Sequence, residues 1–218
     1  MPLPIAAVGL DAAMIAYTSW HLGRAGVPLR VRAVLAVAAS GWLAVLGWLL
    51  PAWGPLPERV SGVVFYAAVL GFVAAVGAGL YPFRHALLAL SDRDLLVPQG
   101  IRVFFGASFL AQAATGALPE TFGILDGATH VTAGFLGLLA ALHAKDGGPT
   151  PLTWVANLFG LADILVVATT LAFVLLPDLG LHHPMMFAVF LPAPFWLWLH
   201  LVAIYRALAP ARAPEPAT

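Results

Sequence analysis

Asp126 and His130 stand four residues apart in "LDGATHV" (125–131), inside a run that is otherwise apolar. At that spacing on a helix the two side chains share a face and can touch, so the pair can share a proton, an ion or a ligand between them. Asp11, Arg102, Asp163 and His200 sit in equally apolar surroundings. A charge at the centre of a bilayer costs about 2.5–3.5 kcal/mol on insertion scales, so each such residue marks either a function or a buried partner. Two imidazoles with two or three carboxylates suit a transition metal, with His130, Asp163 and His200 as candidate ligands. His130 and His200 alone suit the two axial positions of a haem. Imidazoles beside carboxylates also suit proton exchange coupled to movement of an ion or small molecule.

These residues need apolar elements to hold them, and the composition supplies little else. The chain has 218 residues, 61% hydrophobic and 9% charged, with no net charge. An average soluble domain carries about 25% charged residues, so this chain reads as an integral membrane protein. It has no basic face for nucleic acid. It has no cysteine, which excludes disulfides and thiolate chemistry. A bilayer core about 30 Å thick needs roughly 20 apolar residues per helix. Seven segments qualify, at about 4–23, 29–52, 60–81, 98–117, 119–142, 151–177 and 184–208. Gly/Pro-rich turns such as "PAWGPLPERV", "KDGGPTP" and "LPDLGLHHP" separate them. Pro119 and Glu120 mark a helix start that splits 98–142. The expected fold is an all-α, seven-helix transmembrane bundle over 1–208, followed by a disordered Pro/Ala-rich tail at 209–218. "MPLPIAAVGLDAAM" lacks the basic start of a cleavable signal and reads as the first span, retained.

Cation counting orients the bundle. With the N-terminus outside, Arg24, Arg30, Arg32, Arg84, Arg93, Arg102, Lys145, Arg206 and Arg212 fall on the inner side, and Arg59 alone falls outside. The expected location is a bacterial cytoplasmic membrane, C-terminus inside. Counting rise from the span ends puts Asp11 and Asp126 roughly 10 Å deep, with His130 and Asp163 near the midplane. His200 lies a little to the inner side and Arg102 nearer still, where snorkelling to the headgroups is the simpler reading. The ligand-binding set expected from this band is Asp11, Arg102, Asp126, His130, Asn157, Asp163 and His200. Pro192 and Pro194 bend the last span and free carbonyls to line a cavity. The loop "YPFRHALLALSDRDLLVPQG" can form a surface helix with Leu87, Leu88, Leu90, Leu95 and Leu96 toward lipid. The tryptophans at 20, 42, 48, 53, 154, 196 and 198 read mostly as an interfacial belt, and the glycines of "GFVAAVGAGL" as close-packing positions. His182 and His183, beside Pro184, are outer-loop residues that can capture a metal. Asp126 with His130 can equally be a neutralised pair joining two helices, and Asp11 a lone packing hydrogen-bonder.

"QGIR" (99–102), "GALPETF" (116–122), "WVANLFGLAD" (154–163) and "LH" (199–200) resemble a broad set of uncharacterised bacterial seven-span membrane proteins. The resemblance covers about half the chain, implies the fold and carries no activity. It also implies an acidic residue where this chain has His130. Better-known seven-span families are excluded by single residues. A retinal protein needs a lysine in its last span, and the lone lysine is Lys145, in a loop. Seven-span zinc hydrolases carry a histidine four residues before the one at the position of His200; here that residue is Trp196.

The expectation that follows is a multi-pass protein that binds a small molecule or ion in a mid-membrane His/Asp pocket, with lipids around it, and couples this to protons. The alternatives are a metal- or haem-binding protein, a lipid- or isoprenoid-modifying enzyme using a carboxylate as general acid, and a structural assembly partner.

Overall fold

The computed structural model describes residues 3–49, 58–145, 148–175 and 192–209. Residues 50–57, the stretch holding His182, His183 and Pro184, and residues from 210 on, with Arg212, lie outside the described residues. What is described is helical apart from turns and one isolated bridge, Lys145 to Gly148. Helix α1 runs Leu3–Arg24, α2 Leu29–Leu49 and α3 Glu58–Leu80. Two short helices follow, α4 at Arg84–Ala89 and α5 at Asp92–Leu96. Then come α6 at Arg102–Ala114, α7 at Glu120–Leu142, α8 at Pro151–Thr170 and α9 at Pro192–Leu208. A π-helical turn, Leu171–Leu175, extends α8.

Among the described residues, four helical runs are long and apolar enough to cross a membrane: Tyr66–Ala89, Asp92–Ala114, Glu120–Leu142 and Pro151–Phe173. The first two correct the expected boundaries. A 3-10 turn at Tyr81–Phe83 carries α3 straight into α4, and another at Val97–Ile101 joins α5 to α6. The segment expected to hold a surface helix is therefore helical nearly throughout, broken at Leu90 and Ser91. Ser91 starts α5 with a capping box, its hydroxyl accepting from the Asp94 amide at 3.1 Å and its own amide donating to Asp94 at 3.0 Å. Leu87, Leu90, Leu95 and Leu96 are buried and pack in the interior, not against lipid. Two contacts clasp α5: His21 Nδ1 of α1 lies 2.7 Å from an Asp94 carboxylate oxygen, and Arg206 of α9 pairs with Asp92.

The described residues bury a set of polar groups within an apolar core and present an apolar outer surface. The buried set includes Asp11, Gln99, Arg102, Asp126, His130, Asn157, Asp163 and His200, while Leu142, Val37, Leu29 and Phe135 stand 75%, 72%, 71% and 60% exposed. In water that arrangement would leave a large apolar surface uncovered; against acyl chains it costs nothing.

Helix α7 is the hub, packed against α6 on one side and α8 on the other. Its first contact follows from glycine spacing. Gly123, Gly127, Gly134 and Gly137 form one buried stripe along α7 that meets α6 and the 3-10 turn before it. A Cβ on Gly127 would come within 2.9 Å of the Gly106 carbonyl oxygen, and one on Gly106 within 2.6 Å of the Gly127 carbonyl oxygen. The two backbones touch, which is how helices associate where burial from water cannot drive them. In α3, Gly71 and Gly77 face open space, and Gly79 meets the Leu35 side chain of α2 at 3.5 Å.

Candidate functional site

Close contact between α6 and α7 brings Arg102, at the head of α6, against α7 and α8. Its guanidinium is fully buried. It pairs through Nη2 with Asp163 Oδ2 and donates through Nη1 to the Gly160 carbonyl at 3.1 Å. The snorkelling reading is therefore overturned. Its cause is the displaced helix start: with the run beginning at Asp92, Arg102 lies about 15 Å along it, not at its edge.

His130 Nδ1 stands 2.8 Å from Asp163 Oδ2 and 3.1 Å from Asp126 Oδ1. Neither approach has the alignment of a hydrogen bond, and Asp126 Oδ1 and Oδ2, His130 Nδ1 and Asp163 Oδ1 are all buried without a hydrogen-bond partner. Satisfying such groups is the rule in protein interiors, so four without an aligned partner around one point make this the candidate site.

His200 is arranged differently. Asn157 Nδ2 donates to the Thr153 carbonyl at 2.9 Å, which turns its Oδ1 toward His200 Nδ1, also at 2.9 Å. The imidazole therefore carries its proton on Nδ1 and presents the Nε2 lone pair to Arg102 Nη1, 3.4 Å away. That is a neutral ring with both nitrogens engaged. It has no nitrogen free to ligate, so the expected metal set of His130, Asp163 and His200 and the axial haem pair of His130 and His200 are not assembled here. The group that could hold a metal is Asp126, His130 and Asp163, whose donor atoms lie within 4.8 Å of one another. Their 2.8 and 3.1 Å spacings are near the roughly 3.0 Å edge that metal–ligand bonds of about 2.1 Å give in an octahedron.

Trp196 and Gly160 complete the cluster. Trp196 donates from Nε1 to the Pro98 carbonyl at 3.1 Å and lies edge-on to His130, ring centroids 6.2 Å apart. Its ring also faces the Arg102 guanidinium, centroid to Cζ 5.5 Å. Trp196 and Trp198 are buried, so the interfacial belt does not include them. Gly160 is where His200 rests on α8: a Cβ there would lie 2.6 Å from two atoms of the imidazole. Sequence reading missed this glycine, although Asn157, Gly160 and Asp163 at successive threes share one helix face.

Of the expected site residues, the structure brings together Arg102, Asp126, His130, Asn157, Asp163 and His200. Asp11 is buried on α1 with both carboxylate oxygens lacking a hydrogen-bond partner.

Between α7 and α8 a cleft of about 230 Å³ ends on the cluster. Phe122, Leu125, Phe159, Ala162, Val166 and Val167 give it apolar walls, and Asp126, Thr129, Asp163 and Thr170 are its polar members. On the other side of the cluster one face of α8 continues as Asn157, Thr153 and Thr150, whose hydroxyl lies 3.0 Å from that of Thr153.

The fold and the site define an all-helical protein with several helices of membrane-crossing length and apolarity, built around a buried ionic cluster. The chain belongs to the DUF8737 family, a domain of unknown function, whose model matches residues 58–208. The matched residues include the whole cluster, and α1, α2 and Asp11 fall outside them. No curated protein and no solved structure matches the chain.

Proposed function

We propose that this is a seven-span membrane protein, N-terminus outside and C-terminus in the cytoplasm, that binds a small cation at mid-membrane and exchanges it for a proton. Charge balance is the observation that carries the reading. Arg102 offsets one of two buried carboxylates and His200 is neutral, so with His130 uncharged the cluster keeps one surplus negative charge. An isolated charge at that depth is too costly to leave uncompensated. One positive charge resolves it, in either of two ways: a proton on His130, held between Asp126 and Asp163, or a cation beside the orphaned oxygens with His130 neutral. Both together overcharge the site. Occupancy by proton and by cation is therefore exclusive, which is the requirement for coupling one to the other.

The surroundings support movement as well as binding. The α7–α8 cleft reaches the carboxylates from one half of the molecule, and the Asn157–Thr153–Thr150 face of α8 leads away into the other. Arg102, Trp196 and His200 fill the space between the two. A divalent metal at Asp126, His130 and Asp163 suits the donor types but leaves a surplus positive charge next to Arg102, so a singly charged occupant fits better.

The test is what the protein holds. The full chain and Asp126→Asn are purified in mild detergent at neutral and acid pH and analysed by native mass spectrometry and elemental analysis. One monovalent cation per chain is expected in the unaltered protein at neutral pH, lost on acidification and absent from Asp126→Asn. Equal content in the two proteins, or an occupant indifferent to acid, refutes the reading. A stoichiometric divalent metal would instead favour a metalloprotein.

A further inference from the structure

We infer that the cation is a primary ammonium group on an apolar tail, entering sideways from the lipid through the cleft between α7 and α8. The inference rests on the cation-site reading above and names its ligand class. Three features of the cleft point to it. The first is the count of acceptors: Asp126 Oδ1 and Oδ2 and Asp163 Oδ1 are buried carboxylate oxygens without hydrogen-bond partners. A primary ammonium carries three N–H donors and no acceptor, so one such group can satisfy all three oxygens and the surplus charge at once. A quaternary ammonium brings the charge and no donor, and an alcohol brings a donor and no charge.

The second is the lining. Beyond the two aspartates the cleft is walled by side chains such as Phe122, Leu125, Phe159 and Val166, with Thr129 and Thr170 as the other polar members. A hydrated inorganic ion gains nothing from such walls, whereas an alkyl chain is matched to them, and the aromatic faces favour a nearby cation. The third is the outlook of the cleft. Leu125 is 61% exposed and Val166 60%, so its rim belongs to the same apolar outer surface that faces acyl chains. The entrance opens to lipid, which already concentrates amphiphilic amines.

The probe is octylammonium, titrated into the full chain in lipid nanodiscs against protein-free nanodiscs. The readouts are thermal stabilisation and the fluorescence of Trp196, 6.2 Å from the His130 ring centroid. Saturable binding of one octylammonium per chain is expected, weakened at least tenfold by Asp126→Asn. Octanol and trimethyloctylammonium are expected to bind at least tenfold more weakly. Val166→Trp narrows the rim from an exposed position and is expected to weaken octylammonium tenfold as well, which keeps the test decisive if Asp126→Asn fails to fold. Equal binding of octanol or of trimethyloctylammonium overturns the inference, as does indifference to both substitutions. Methylammonium or potassium binding as tightly as octylammonium also overturns it, while leaving the cation site itself standing. No saturable response to octylammonium overturns it too.

Discussion

Asp126 and Asp163 lie in the same cluster, yet their replacement by asparagine should have unequal consequences for stability. Asp163 Oδ2 is the ion-pair partner of Arg102, whose guanidinium is fully buried. Removing one member of a buried pair strands the other, at a typical cost of about 3–5 kcal/mol. Asp126 is near enough to Arg102 to relieve part of that, so Asp163→Asn is expected near the lower end, about 3 kcal/mol. Asp126 makes no side-chain hydrogen bond, and His130 stands 3.1 Å from it, with an Asp163 carboxylate oxygen within 4.8 Å. Asp126→Asn removes the surplus charge and leaves Asp163 and Arg102 balanced with His130 neutral. The loss of attraction to His130 and the relief of a buried charge worth about 2.5–3.5 kcal/mol nearly cancel, so stability should stay within about 1 kcal/mol. The expected gap between the two variants is therefore about 2 kcal/mol or more. It can be read from unfolding of the purified full chain by sodium dodecyl sulfate in mixed micelles, followed by tryptophan fluorescence. Adding Arg102→Met to Asp163→Asn should recover at least half of the loss, because neither charge is then stranded. Equal destabilisation by the two asparagine substitutions would refute the reasoning. It would make Asp126 part of the structural fastening between helices and remove the surplus charge from which the function is argued.

Two other substitutions probe how the site is positioned. Gly127→Val places a side chain where a Cβ already meets the Gly106 carbonyl oxygen at 2.9 Å, so α6 and α7 must separate. A loss of about 2–3 kcal/mol in the same unfolding assay is expected, with Gly71→Val, which faces open space, as the tolerated comparison. Gly160→Ala adds about 1 kcal/mol of helix propensity yet forces the His200 ring from its seat, since the new carbon would lie 2.6 Å from it. Net stability should change by less than about 2 kcal/mol while cation binding at the cluster falls; unaltered binding would show that Arg102 does not need His200 to hold its place.

The sequence made part of this legible and hid the rest for identifiable reasons. Asp126 with His130, and the start of α7 at Pro119 and Glu120, depend on spacing within a single helix, where the rise and repeat are fixed. The meeting of Arg102 with Asp163 depends on which faces of α6, α7 and α8 turn together, and that is decided by a glycine stripe whose partner helix periodicity does not name. A single misplaced helix start accounts for most of the errors. With the fourth span begun at 98, Leu95 and Leu96 fall on a surface helix facing lipid and Arg102 falls within reach of the headgroups. Begun at Asp92, the same residues lie inside the bundle. "SDRD" (91–94) puts four polar residues in a row inside that segment. Ser91 and Asp94 spend their polarity on capping α5, and Asp92 and Asp94 on contacts with Arg206 and His21. Those clasps have a consequence for the site. They tie α1, α5 and α9 together at one end of the molecule, and the helical run that begins at Asp92 carries Arg102 ten residues further on. Arg102 is thus held from its own helix start as well as by Asp163 and Gly160. A guanidinium anchored in that way serves as a fixed countercharge for Asp163, and only Asp126 is left to change partners.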